Sequence, residues 1–290
     1  DEYGEVDVEE TTKRAHALAG QLRDVVPVIT GFLAQDLQGN VTTLGRGGSD
    51  TSAVMLGKYM DADEVVIVTD VEGVMTGDPR VVEGARNVGE ISVDELRSLS
   101  FRGAEVVAPS ALSYKGADLG VRVVHYQHDD LLTGGTSIEG EFQNLIDLQE
   151  DRLACVTVAG RAIRNSPGIL GSLSTALGEE GINIDANSSG MDSLTFYINA
   201  EDADAAEAVL HDHVVDQDEL SSVTVEDDIA VIRVTGGELP NQPGIVKRVV
   251  DPLSDAHINL FDVITSATSV SVFVPWEDRE QALELVQDVF

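Results

Sequence analysis

The chain has 290 residues, room for two or three ordinary domains, and carries 52 acidic residues against 18 basic ones for a net charge of −34. Apolar residues make up 42%, enough for real cores, so the charge does not signal disorder. It argues against a nucleic-acid partner, which needs a basic face for phosphates, and against an anionic membrane surface. No run approaches the roughly 18 apolar residues of a membrane helix and no signal peptide opens the sequence, so residence in the cytoplasm is expected.

The charge is spread evenly: residues 1–150 hold 27 acids and 11 bases, residues 151–290 hold 25 and 7. Only four residues are Lys (Lys13, Lys58, Lys115, Lys247), against fourteen Arg. An Asp-rich, Lys-poor surface around a normal core suggests a high-salt cytoplasm, where salt screens self-repulsion; an ordinary acidic protein is the alternative. The single Cys155 excludes an intrachain disulfide and, within the apolar run 153–158, reads as a buried hydrophobe. Six His lack any Cys cluster or His-Glu-x-x-His pattern, so no metal site is expected.

In chain order, the first half predicts a helix over 6–22, a strand over 25–29, a helix over 50–60, a strand over 65–68, a helix over 92–99 and a strand over 121–126. Short β-rich runs between helices argue for a layered α/β sheet. Gly134-Gly135-Thr136 and the stretch 139–151 read as the way out of this domain.

The second half repeats itself. Pro167-Gly168-Ile169 recurs as Pro243-Gly244-Ile245, Ile182-Asn183 as Ile258-Asn259, and Gly160 as Gly236, each at an offset of 76. Around these anchors each copy predicts strand, helix, strand, strand, helix. The first copy places them at 153–159, 169–177, 182–186, 194–199 and 203–211. The second places them at 230–235, 245–253, 258–264, 270–274 and 279–289. Several anchors in register are a specific sign of duplication. Pro252, where the first copy has Ala176, is expected to kink or shorten its helix. The pattern resembles the ACT domain, a βαββαβ module that binds amino acids at paired interfaces. Free N–H groups at the helix after each Pro-Gly turn suit a ligand carboxylate, although such a turn also starts a helix with no ligand involved.

Two loops carry candidate chemistry. Thr42-Thr43-Leu44-Gly45-Arg46-Gly47-Gly48-Ser49-Asp50 has three glycines that let backbone approach a ligand, an Arg fork for a carboxylate or phosphate, and Ser49 or Asp50 as helix cap. It is neither a Walker loop nor a dinucleotide fingerprint. The second loop, 69–80, follows a strand end, where α/β sheets bind ligands. It includes Thr69, Asp70, Met75 and the turn Asp78-Pro79-Arg80.

Together these loops resemble the aspartate kinases of the amino-acid-kinase family. The match is carried by Val26-Pro27-Val28-Ile29-Thr30-Gly31-Phe32, the Leu44 to Asp50 segment, Thr69-Asp70-Val71-Glu72-Gly73-Val74, Asp78-Pro79-Arg80 and Pro109-Ser110-Ala111. The resemblance implies an α/β chain: part of a three-layer amino-acid-kinase sheet sandwich over 1–146, lacking N-terminal strands, then two ferredoxin-like ACT domains over 153–226 and 229–290. In many such kinases one ACT module is inserted into the other, which linear boundaries do not capture. It implies ATP-dependent phosphorylation of L-aspartate to 4-phospho-L-aspartate, the entry to lysine, threonine and methionine synthesis, with Mg²⁺ carried by the nucleotide. Arg46 and Asp50 would be catalytic and, with Ser49, contact the substrate. Thr69, Asp70, Met75, Arg80 and position 105 would line the nucleotide. An effector, lysine or threonine, would sit at Ser166, Gly168, Ile169, Leu170, Asn183, Ile184 and Asp185 of the first module. The second module has Phe261 in place of Asp185 and is expected to be structural. ACT modules pair across subunits, so a homodimer or larger assembly is implied.

The sequence departs from the family in three places. The family's opening Lys-Phe-Gly-Gly segment is absent ahead of Asp1-Glu2-Tyr3-Gly4. Glu105 stands where a Lys is usual, with Lys115 ten residues on as a possible substitute. Met75 replaces a Tyr. The rival reading is a non-catalytic amino-acid sensor. Losing one charge-stabilising donor costs on the order of 10²–10³ in rate. The 290-residue chain is therefore expected to show no appreciable aspartate kinase turnover, whereas a chain preceded by a Lys-Phe-Gly-Gly segment is expected to be active. Coupled assays of both decide, and full turnover by the short chain would sink the expectation.

Overall fold

A computed structural model describes residues 6–22, 25–100, 106–141, 143–161, 163, 166–236, 243–266 and 268–290. They fall into two compact units: one runs to Asn144 and also takes residues 236, 266 and 268, and the other takes the remainder from Leu145 onward.

In the first unit, α1 (Val8–Ala19) starts where the Asp7 carboxylate accepts from Glu10 N at 2.9 Å, a side-chain cap for an otherwise orphaned amide. A short hairpin, β1 (Leu33–Gln35) and β2 (Val41–Thr43), leads into α2 (Gly48–Tyr59). β3 (Glu64–Thr69), β4 (Glu90–Ser92), β5 (Gly120–His125) and β6 (Thr136–Glu139) form a sheet in the order β3-β5-β6-β4. β3 runs parallel to β5, which places both carboxyl ends at one edge. α3 (Val93–Ser100) opens on a reciprocal capping box: Ser92 N donates to the Glu95 carboxylate and Glu95 N to Ser92 Oγ. α4 (Pro109–Leu112) is a single turn with Pro at its start. Val54, Ile67, Leu96, Leu112, Val121, Val123 and Ile138 meet in one buried core.

Two expectations fail here. Residues 25–29 form no strand, and Val26 and Val28 are 92% and 98% exposed. Among the described residues no strand pairs with them, and an apolar run without a ladder partner gains nothing from extension. Thr136 is not an exit: it starts β6, and its hydroxyl is fully buried within the sheet.

Among the described residues, the second unit is a seven-stranded antiparallel sheet with four α-helices. Its first module comprises β8 (Leu153–Gly160), α5 (Ile169–Glu179), β9 (Ala186–Ser189), β10 (Ser193–Asn199) and α6 (Ala203–Asp216). One long strand, β11 (Leu220–Thr235), follows. Its first half pairs with β8; after a register shift between Glu226 and Ile229 its second half pairs with β13 (Ser269–Pro275). Asp228 sits at the shift with φ 65°, a left-handed conformation that Asp tolerates better than most residues. The second module adds α7 (Ile245–Asp255), β12 (Asp262–Thr265) and α8 (Arg279–Gln287). The remaining edge of β11 is taken by β7 (Leu145–Leu148), a strand from before the first module. Each module thus presents four strands, and the second completes its set with residues that precede the first.

The two middle strands begin four residues later than the apolar runs suggest, at Ala186 and Asp262. Ile182 and Ile258 are buried in the preceding turns, so their side chains serve the cores from loop backbone. Pro252 does not shorten its helix: α7 continues to Asp255 and has the same 11 residues as α5.

The repeat is expressed as a local pseudo-two-fold. Residues 76 apart touch each other: the Tyr197 and Phe273 rings lie 3.9 Å apart, Leu153 pairs with Ile229, and Arg152 Nη1 meets Asp228 Oδ1 at 2.7 Å. Leu153, Cys155 and Tyr197 of one sheet face share a buried cluster with Ile229, Val231 and Phe273 of the other. Tyr197 Oη also donates to Asp262 Oδ2 at 3.3 Å, and burial, with that carboxylate beside it, pushes the phenol well above its ordinary range. Cys155 lies in this cluster as a buried hydrophobe, its thiol pushed up mainly by burial. Phe273→Ala is expected to cost about 3–5 kcal/mol as a core aromatic deletion, against about 1 kcal/mol for Tyr197→Phe. Urea titrations check the ranking.

Candidate functional site

The first loop leaves β2 and turns at once. Leu44 N donates to Phe32 O at 2.9 Å and Gly48 N to Gly45 O at 3.0 Å, which delivers the chain to the start of α2. The N-cap is Gly47, at φ 74°, and no side chain caps the helix. Ser49 and Asp50 lie one step further on, inside the first turn, where an anionic side chain is favoured by the helix dipole. Gly47 is required twice over: its φ is left-handed, and a Cβ there would lie 2.2 Å from the Ala108 Cβ.

That close approach brings three distant segments together. Asp50 Oδ2 accepts from Ala108 N at 3.1 Å, and the hydroxyls of Thr51 and Ser110 are 2.8 Å apart. On the other side Gly31 lies against Ser49, and Phe32 N donates to Ser52 Oγ at 3.0 Å. Arg46 and Ser49 are exposed and Asp50 is half-buried. The result is a junction at which Gly31, the 45–49 turn and the start of α4 meet. Arg46 is an exposed cation within that turn, and Asp50 is the fixed carboxylate of the junction. Ala108 and Phe32 were not visible as site residues in the sequence.

The second loop starts at the carboxyl end of β3. Thr69 is half-buried and Asp70 exposed, with Thr69 Oγ1 3.3 Å from Asp70 Oδ1. Tyr126, just past β5, donates its N–H to Thr69 O at 2.8 Å; its ring stacks on His125 at 4.6 Å and is 59% exposed. This exposed aromatic beside Thr69 was missed because it lies 57 positions along the chain. Met75 is half-buried in the loop. Thr136 anchors the loop: its Oγ1 accepts from Val74 N at 2.9 Å and from Asn87 Nδ2 at 3.2 Å, and donates to Val88 O at 2.6 Å. Arg80 is 88% exposed and forks onto Asp78, with Nε–Oδ1 3.0 Å and Nη2–Oδ2 2.9 Å. The guanidinium holds the Asp78 carboxyl below its usual range. An exposed pair of this kind is weak, so the fork can turn to another anion.

Position 105 lies outside the described residues. Lys115 is not a substitute cation: it is buried, and its Nζ donates to Gly140 O at 2.7 Å and Gly116 O at 3.1 Å. Burial pushes its pKa down against the pull of Glu139 and Glu141.

In the second unit, Gly168 and Gly244 occupy matching left-handed N-caps of α5 and α7, at φ 96° and 88°. Ile169 is buried in the first module's core and Ile184 packs against it, so these two offer a ligand backbone rather than side chain. Leu170, Asn183 and Asp185 are exposed and Ser166 half-buried. Asp185 N donates to Tyr197 O at 2.9 Å; the second module repeats the bond as Phe261 N to Phe273 O at 2.8 Å.

Thr136→Val removes all three hydrogen bonds of the loop anchor while keeping its shape. It is expected to destabilise the first unit by about 1–3 kcal/mol by stranding a buried amide. Melting curves of the variant and the wild type test it.

The amino acid kinase family matches residues 4–125, and ACT domains match residues 156–214 and 224–288. Aspartokinase 2 of Bacillus subtilis (strain 168) is 33% identical over 285 residues, covering 94% of this chain and 68% of that protein. The aspartokinase of Bacillus sp. (strain MGA3) is also 33% identical, over 91% of this chain and 66% of its own length. The chain thus spans about two thirds of the length of these curated relatives. The crystal structure of aspartate kinase from Synechocystis superposes with a TM-score of 0.72 at 27% identity, over 86% of this chain and 46% of that one. With its kinase loops, its duplicated βαββαβ modules and a relative matched over most of both lengths, the chain belongs to the aspartate kinase family.

Proposed function

We propose that the first unit takes part in ATP-dependent phosphorylation of L-aspartate to 4-phospho-L-aspartate, the step that opens lysine, threonine and methionine synthesis. The carrying observation is the junction where Gly31 meets Ser49 and Ala108 meets Gly47 and Asp50, with Arg46 exposed in the same turn. The junction supplies a planar cation for a substrate carboxylate, the amides of a helix start and closely packed backbone. Ser49 contacts the substrate beside Arg46, and Asp50, held on Ala108 N, orients cationic groups. The side-chain carboxylate of aspartate is ionised near neutral pH, so no strong base is needed. ATP supplies the phosphoryl group, with Mg²⁺ bridging its phosphates. The groups at the second loop suit a nucleotide: Thr69 and Asp70 at a parallel strand's carboxyl end, an apolar Met75, and Arg80 as a movable fork for phosphate. What the chain contributes is positioning and charge stabilisation.

Binding tests this without depending on turnover. Calorimetry should show Arg46→Ala weakening L-aspartate roughly tenfold or more while leaving MgATP nearly unchanged, and Asp70→Ala doing the reverse. Both ligands binding both variants as well as wild type contradicts the site.

The second unit is proposed as the sensor of an amino-acid effector, lysine or threonine, at Ser166, the Gly168 turn and Asn183 to Asp185 of the first module. A homodimer or larger assembly is proposed for it, and a monomer on gel filtration in molar salt would contradict that. Burial first, and then Asp151, push the Asp185 carboxyl above the ordinary Asp value, partly offset by Arg233. Its ionised form is the one that pairs with an ammonium. Effector affinity should therefore fall on acidification with a midpoint above the ordinary range, and Asp185→Ala should abolish both the binding and this midpoint.

A further inference from the structure

β3 and β5 stay in parallel register to their ends, where Thr69 pairs with His125. The next residues, Asp70 and Tyr126, therefore leave the sheet side by side, about one strand spacing of ~4.8 Å apart. Tyr126 N still donates to Thr69 O at 2.8 Å, which ties it to the strand end that opens the second loop. Its ring is held as well. The His125 imidazole stacks on it with centroids 4.6 Å apart and planes inclined by 29°. Gln127 fixes both rings: its backbone N–H donates to His125 Nδ1 at 3.1 Å, and its Nε2 donates to the Tyr126 phenol oxygen at 3.0 Å. Tyr126 is nevertheless 59% exposed. A ring fixed by its neighbours and left open to water serves no core; it is a preformed flat apolar surface.

We infer that Tyr126, backed by His125, is the platform on which the base of the bound nucleotide stacks. This deepens the nucleotide reading of the second loop and rests on it. Ligands of α/β sheets lie beyond the carboxyl ends of the strands, and two adjacent parallel strands end here. The exposed side chains that follow them are acidic: Asp70 after β3, and Asp129 and Asp130 after β5. Such a strand end repels phosphate and admits an uncharged heterocycle. The cation suited to phosphate, Arg80, comes ten residues after Asp70 in the same loop. The work then divides by chemistry. The Asp70 carboxylate accepts from hydroxyl or amino groups of the nucleoside, and the Tyr126 ring takes the flat face of the base. Stacking grows with the area covered, so a two-ring purine gains more than a one-ring pyrimidine.

The test is calorimetry on the full 290-residue chain with MgATP, MgUTP and magnesium tripolyphosphate, which keeps the phosphates and has no base. Wild type should bind MgATP several-fold tighter than MgUTP. Y126A should bind MgATP roughly tenfold more weakly, lose most of its preference over MgUTP, and bind tripolyphosphate as wild type does. Y126F, which keeps the ring face and loses the hydroxyl, should retain the preference. Y126L, with comparable bulk and no ring, decides the matter should Y126A fail to fold. A wild type without the preference, or a ring-less variant that keeps it, overturns the platform and leaves the second-loop nucleotide site standing. Equal weakening of all three ligands in Y126A and Y126L is what a merely structural role would give, and it overturns the platform too. Wild type that binds none of the three overturns the nucleotide reading and this inference with it.

Discussion

A peptide N–H or C=O taken out of water has to find a partner, and in this chain the partner is repeatedly supplied from far away. The second module would have an open edge at β11 in its interior; β7, from before the first module, closes it. β11 itself serves twice, as the last strand of one module and the first of the next. The same requirement explains residues 25–29, which have strand composition and no partner among the described residues, and so join no ladder and stay largely exposed. Composition makes a strand possible, but a neighbour makes it one.

The kinase loops obey a related rule with different means. Backbone that must bind a ligand cannot be closed off by a ladder, so it is held at a few fixed points: Phe32 O, Ser52 Oγ, Ala108 N and Thr136 Oγ1. Two of these points lie on elements, Ser52 on α2 and Thr136 on β6, and two lie just before them, Phe32 ahead of β1 and Ala108 ahead of α4. The glycine at 47 belongs to this scheme because the segment that holds Asp50 must pass within contact distance of the loop. Rigidity of the walls and openness of the turn are thereby both available to the same short sequence.

What was legible in the sequence follows from how far each cause reaches. The stripe of α5 and the apolar runs of β8 and β10 are local patterns and appear within two residues of their expected bounds, whereas α6 runs on to Asp216, past the expected 211. β1, β2, β4 and β6 have three or four residues, too few to show a period. Ile182 and Ile258 mimic strand starts because a turn that plugs a core needs the same apolar residues. Of the site, the glycines and Arg46 announce themselves by chemistry and spacing. Ala108, Tyr126 and Thr136 do not, since each acts by lying beside a loop from which sequence separates it by some 57 to 62 positions.

The duplication sharpens this point. A repeat of 76 residues predicts equal modules, and the backbones comply down to matched left-handed caps and matched loop-to-strand bonds. The side chains diverge within that common frame: Asp185 stands where the second module has Phe261, and Thr157 where it has Arg233. The contacts between positions 76 apart do not depend on those residues, because Tyr197 lies on Phe273 and Leu153 pairs with Ile229 through the shared cluster. A duplicated backbone held together by its apolar face can therefore vary the polar residues around that face in one copy without losing the pairing of the two.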